Sequence, residues 1–149
     1  MFALPILSTN AFAMFKVCLF SPVKGKVVNK GQPVVGAVIE RSYDWAWKDQ
    51  KGHDQTETDQ NGEFSLPAIY GTMILGSVLP HEPVIEQDII INHEGTAYKA
   101  WHCYKREYDE FGELRGVLKQ CPITLYCDLQ STFRRFEIGS GYSGIGELK

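Results

Sequence analysis

The segment TETDQNGEFSLP, Thr56 to Pro67, limits what this chain can fold into more than any other stretch. Thr56 and Thr58 alternate with charged residues, and Phe64 and Leu66 alternate with polar ones. Between them stands Asp59-Gln60-Asn61-Gly62. A period of two belongs to a strand with one face buried. Asn-Gly is the dipeptide that best tolerates the positive φ of a sharp turn. The aspartate can accept backbone N–H groups across that turn. The segment therefore reads as two strands meeting at a hairpin corner, with Phe64 and Leu66 turned inward.

The rest of the chain follows the same pattern. Phe15–Asn29 is rich in Val and Phe, and Pro22 within it marks an edge, a bulge or a strand changing sheets, because proline cannot donate to a ladder. Lys30–Pro33 is a turn. Val34–Trp47 is a strand with Val35, Ala37 and Ile39 on one side and Val34, Val38 and Glu40 on the other. Lys48–Gln55 reads as a polar loop. After Pro67, Gly71 and Gly76 argue against a helix. Val84–Ile91 and Thr96–Tyr104 form a hairpin around Asn92–Gly95. DEFGELRG is a second polar loop or one helical turn, and CPITLYCDL is the last clear strand. About seven strands with little helix predict an all-β, antiparallel, immunoglobulin-like sandwich. Residues 14–138 form one domain, preceded by a signal-like or upstream segment (1–13) and followed by a flexible glycine-rich tail (139–149).

Composition narrows the function classes. The chain has 149 residues, 22% of them charged, and a net charge of −3. That suits one soluble domain and lacks the basic excess of a nucleic-acid binder. No apolar run reaches the ~20 residues of a membrane-spanning helix. Ala11-Phe12-Ala13 has the spacing of a signal-peptidase site, which points to the periplasm or cell envelope. A start at Met14 would instead give a cytoplasmic protein. Of the four cysteines (Cys18, Cys103, Cys121, Cys127), none forms a C-x2-C pair. Two disulfides and four buried reduced thiols both remain open.

Gly25-Lys26-Val27, Gly31-Gln32-Pro33-Val34-Val35-Gly36-Ala37-Val38-Ile39 and Thr56–Leu66 carry a pattern of G-x-V, G-x-P-x-x-G-A-x-V and T-x-T-D-x-x-G-x-F-x-L. This resembles the carboxypeptidase-regulatory-like family of small sandwiches, which share a transthyretin-like (prealbumin-like) topology. The chain also looks like a family of small bacterial proteins with KVCLFSPVKGKV near the start. The resemblance implies a prealbumin-like sandwich and a non-catalytic role. One enzyme of this fold, the 5-hydroxyisourate hydrolase, ends in Tyr-Arg-Gly-Ser. Gly141-Tyr142-Ser143-Gly144 lacks the arginine.

No stretch assembles a catalytic set. His81-Glu82 and His93-Glu94 are followed by Pro83 and Gly95, so neither makes H-E-x-x-H on a helix. His102 and Cys103 are adjacent on a strand and so point to opposite faces, against a shared zinc site. Cys103 has cationic neighbours but reads as a buried strand thiol. The reading is no enzyme, no cofactor and no metal. What remains is surface: Tyr43, Trp45 and Trp47 on alternate positions, then Asp49 and His53, and a second group of Trp101, Tyr104, Arg106, Tyr108, Asp109 and Glu110. Aromatics beside charges are the composition of binding hot spots. The expectation is a protein-binding module, concretely a bacterial immunity or inhibitor protein acting on a toxin or hydrolase. The alternatives are a carbohydrate- or envelope-binding domain stacking sugars on Trp45 and Trp47, and a small hydrolase. A homodimer through an edge strand also fits.

Overall fold

A computed structural model of the chain describes residues 14–74, 81–115 and 122–149. The described residues are all-β, with two single 3-10 turns and no α-helix. The strands are β1 (Met14–Phe20), β2 (Val23–Asn29), β3 (Gln32–Pro33), β4 (Val38–Trp45), β5 (Gln50–Glu57), β6 (Glu63–Leu66), β7 (Ile69–Ile74), β8 (Ile85–His93), β9 (Thr96–Lys105), β10 (Ile123–Asp128), β11 (Arg134–Phe136), β12 (Tyr142–Gly144) and β13 (Gly146–Leu148).

One sheet runs β11-β12-β9-β8-β4-β5. A second runs β13-β10-β2-β3, with β6 also on β2. β1 and β7 make a separate ribbon. Every pairing is antiparallel except β2 with β10. The two large sheets face each other across one core. Val23, Val27, Phe64, Ile123 and Leu125 come from one sheet, and Ile39, Ile89, Ile91, Trp101 and Tyr142 from the other. The ribbon closes the far end of the six-stranded sheet, where its Val17, Leu19 and Met73 pack on Trp45 and Ile85.

Two glycines make room for this packing. A Cβ at Gly25 would lie 2.3 Å from the Phe64 ring, and one at Gly71 would lie 2.8 Å from Trp45. Side chains from paired or neighbouring strands fill those spaces.

The opening segment behaves as its local chemistry dictates, with one difference. Asp59 Oδ1 accepts from the N–H groups of Asn61 (2.8 Å) and Glu63 (2.9 Å), and Gly62 takes φ 73°. The corner is not a hairpin, however: it carries the chain from β5 in one sheet to β6 in the other. Thr58 fastens it, accepting the Ala37 N–H on its Oγ1 at 2.9 Å. Ser21-Pro22 likewise separates β1 in the ribbon from β2 in the five-stranded sheet, the sheet change that Pro22 signalled.

Four other expectations are corrected. Val34 is buried and Val35 is 57% exposed, because Gly36 at φ 74° breaks the alternation that Val34–Trp47 was expected to keep. Lys48–Gln55 is not a loop: Gln50–Glu57 is an edge strand, paired along its length with β4. DEFGELRG does hold one helical turn, a 3-10 turn at Gly112–Leu114, but the turn is not solvent-facing, since Gly112, Glu113 and Leu114 are all buried. The tail is not loose either. β12 pairs with β9, β13 pairs with β10, and Tyr142 is stacked between Trp101 and Phe136 in the core. The aromatic ring and the sheet edges that needed covering outweigh the glycines. Residues 1–13 and Cys121 lie outside the described residues.

Candidate functional site

Each candidate side chain takes its position from the strand that carries it. Trp45 is the last residue of β4 and points inward; it is fully buried against the ribbon. Trp101 is also fully buried, on β9, with its ring centroid 4.4 Å from that of Tyr142. These two leave the list of surface residues, because the inward face of a strand in a sandwich is core. The paired Trp45/Trp47 sugar platform goes with them. Tyr43 is half-buried on the inner side, lies over Gly52, and accepts from Gln50 Nε2 at 3.0 Å.

Trp47 has a different fate. It lies in the 3-10 turn Ala46–Lys48 beyond the strand end and is 41% exposed. The turn closes at Asp49, in the left-handed conformation, whose N–H donates to the Ala46 carbonyl. Trp47 stacks flat on His81, with centroids 3.7 Å apart and planes 1° from parallel. His81 Nε2 lies 2.7 Å from the Tyr108 hydroxyl. That hydroxyl also accepts the Trp45 indole N–H at 3.0 Å. The Tyr108 hydroxyl therefore bridges Trp45 and His81. A half-exposed indole is thus held through two further side chains to a buried one.

Charged and aromatic groups surround this stack at the same end of the six-stranded sheet. Arg106 pairs with Glu82 at 3.0 Å. The Tyr70 hydroxyl donates to Glu110, and Lys16 lies 3.8 Å over the Tyr70 ring. Asp109 is exposed beside them. So Trp47, Asp49, Arg106, Tyr108, Asp109 and Glu110 occur at one end of the molecule, supported by Trp45. Tyr104 and His53 do not join them. Tyr104 lies on the outer face of the six-stranded sheet with its ring edge against His102, and His53 is on the outer face of β5. Sequence reasoning missed His81, Glu82, Lys16 and Tyr70. Each depends on partners from remote segments, and no local pattern announces that.

Beneath the site lies a buried polar network. Glu113 Oε1 accepts from the Ser21 N–H (3.0 Å) and Gln87 Nε2 (2.8 Å), while its Oε2 accepts from Ser21 Oγ at 2.7 Å. Lys105 Nζ lies 3.6 Å from the same carboxylate and donates to the Cys18 carbonyl at 3.0 Å. Ser21 Oγ in turn accepts the Phe111 N–H. The network ties the segment after β9 to the end of β1. Its polar groups are spent on one another, and it holds segment 106–110 against the end of β1.

Cys18, Cys103 and Cys127 are unbridged and buried. Burial pushes the Cys103 and Cys127 thiols up to about 12, and raises Cys18 despite Lys105 beside it. At neutral pH these three stay protonated and inert as nucleophiles. His102 and Cys103 do take opposite faces: the thiol is in the core and the ring is outside. Tyr142, in the Gly-Tyr-Ser-Gly stretch, is a core residue.

Two open concavities lie on the outer faces of the sheets among the described residues. One, of about 600 Å³, follows the outer face of the five-stranded sheet along Lys24, Lys26, Ser65, Thr124, Tyr126 and Lys149. The other, of about 420 Å³, lies on the six-stranded sheet among Ser42, Lys51, His53, Glu86 and Asp88. Among the described residues no helix is long and apolar enough to cross a membrane.

Residues 23–132 match the family model described as a domain of unknown function, DUF6795. The chain belongs to this family. No curated protein and no solved structure matches it. The DUF6795 match begins at β2 and ends after β10, so it includes Trp47, His81, Tyr108 and the Lys105–Glu113 pair.

Proposed function

We propose that this DUF6795 protein is a non-catalytic protein-binding module, in its concrete form a bacterial immunity or inhibitor protein that neutralises a toxin or hydrolase. One observation carries the reading: the half-exposed Trp47 is clamped by His81, Tyr108 and Trp45 before any partner arrives. A rigid aromatic anchor loses little entropy on binding, and a rim of paired charges gives orientation more than affinity. Arg106–Glu82 and Glu110–Tyr70 supply such a rim. The resemblance of Gly25–Leu66 to the transthyretin-like, carboxypeptidase-regulatory-like sandwiches supports the same reading, since that resemblance implies binding rather than catalysis. Export to the periplasm or envelope would suit a protein that meets a competitor's toxin.

The experiment is affinity capture from the native host and from competing strains, with wild-type protein and Trp47→Ala as paired baits. The reading expects one protein held by the wild type in equimolar amount and lost with Trp47→Ala, and inhibition of that protein's activity. Equal capture by both baits, or capture of nothing specific, removes it.

A further inference from the structure

The outer face of the six-stranded sheet carries a cross-strand charge arrangement that the binding end does not use. Asp88 on β8 stands directly opposite His102 on β9, and Glu86 is two residues before Asp88 on the same face. Donor atoms of Glu86, Asp88 and His102 all lie within 4.8 Å of one another. His102 Nδ1 is 2.9 Å from Asp88 Oδ1. On the other side of β8, Glu86 is directly opposite Asp44. Three carboxylates therefore share this patch with two lysines. Lys51 takes Asp44 at 3.1 Å, and Lys99 takes Asp88 at 3.0 Å. Glu86 has no ion pair among the described residues, and it faces a like charge.

Like charges directly opposite across a strand pair destabilise a sheet. The Asp44–Glu86 opposition is such a local conflict, and conflicts of this kind are found at functional sites. A bound cation resolves it. The donor set says which cation: an imidazole nitrogen with carboxylates suits first-row transition ions, whereas calcium and magnesium favour oxygen alone. We propose that Glu86, Asp88 and His102 form a binding site for one divalent transition ion of the zinc type.

In a tetrahedral site, ligand bonds of about 2.0–2.2 Å put donor atoms about 3.3–3.6 Å apart, so side chains up to 4.8 Å apart close by about an ångström through their own rotamers. β8 and β9 are central strands of the sheet, which fixes their spacing. Coordination through Nδ1 leaves the imidazole proton on Nε2. The ion displaces Lys99 from Asp88, which makes that lysine a competitor for the site. Three protein donors leave one position open toward the concavity that Ser42 and His53 also line. The sequence hid this set because its members meet across strands, with no short motif.

The test is zinc titration of the whole metal-free protein by calorimetry, with magnesium as the control. One equivalent of zinc should bind in the micromolar range or tighter, and magnesium should not bind. Glu86→Gln and His102→Gln should each weaken zinc by at least about tenfold. Lys99→Met should tighten it, a direction that a fold defect would not produce. His53→Gln should leave it unchanged. In the wild type, cobalt should perturb the His102 ring resonances before those of His53 and His93, which needs no variant to fold. Binding weaker than millimolar, zinc binding unaltered in His102→Gln, or cobalt perturbation centred on another histidine overturns the site.

Discussion

Ser21 Oγ donates to Glu113 Oε2 across 2.7 Å, although 92 positions separate the two residues in the chain and both are closed to water. A carboxylate buried this deeply persists only when its oxygens are matched, and here Ser21, Gln87 and Lys105 match them. Replacing Glu113 by Ala leaves the fully buried Lys105 without an anion. The expected cost is about 3–5 kcal/mol in unfolding free energy. Ser21→Ala removes only neutral-donor bonds and should cost about 1–3 kcal/mol. Urea unfolding of the two variants should rank them in that order; the reverse ranking would mean that the ion pair is not what the network protects.

The C-terminal segment is structural. Gly139 has φ 64°, and a Cβ there would lie 2.3 Å from the Glu113 carbonyl oxygen. That oxygen already accepts the Ser140 N–H at 2.9 Å. Gly139→Ala therefore combines a left-handed backbone with a backbone clash, and should cost about 1–3 kcal/mol. Removing residues 139–149 should do more, since it strips Tyr142 from Trp101 and takes away β12 and β13. Circular dichroism melts of the two variants check this. A truncated chain melting at the wild-type temperature would refute it.

What could be read in advance follows from how far each signal reaches. Gly62 and Pro22 act on their own backbone, and the turn and the sheet change appear where they stand, but that the Asn61-Gly62 corner joins two sheets rather than a hairpin was not legible. The β8–β9 hairpin has its apolar alternation and its turn in one continuous stretch, so it too was legible. β5 was not, because an edge strand needs no apolar face, and Lys51, His53 and Gln55 look like loop residues. Nor was the burial of Glu113, whose partners come from remote segments. Trp45 and Trp47 are alike in sequence, and the 3-10 turn that starts after Trp45 and contains Trp47 leaves the first inward and carries the second outward. The candidate site was half legible: Trp47, Arg106, Tyr108, Asp109 and Glu110 were named, but the clamp through His81 was not.

That division gives a sharp pair of variants. Trp45→Ala removes a fully buried indole from the smaller core and should cost about 3–5 kcal/mol of stability. Trp47→Ala leaves Trp45 and Tyr108 joined and should change stability by no more than about 0.5–1 kcal/mol. If Trp47 is the anchor proposed above, its loss should weaken the captured partner by about 2 kcal/mol or more, roughly thirtyfold in Kd. Chemical denaturation and a binding isotherm on the same samples separate the two effects. A Trp47→Ala protein that binds normally while a folded Trp45 variant does not would transfer the role to the interior.

The buried thiols set a pH limit to the fold. Burial raises Cys103 and Cys127 from 9.0 to about 12, and raises Cys18 as well. Tyr142 rises by burial from 10.0 to about 12. Below about pH 9 these groups are neutral in both states and do not alter stability. Above it the unfolded chain releases protons that the folded chain must keep, so the unfolded state is favoured increasingly up to about pH 12. Cys103 and Cys127 each contribute a slope of about 1.4 kcal/mol per pH unit in that window. Urea unfolding should show constant stability from pH 7 to 8.5 and a steep fall from about pH 9 onward. Cys127→Ala should be less stable at pH 7, through its cavity, yet fall less steeply above pH 9. Equal slopes for the two proteins would show that the Cys127 thiolate is tolerated inside the fold, against the packing of Cys127 between the sheets.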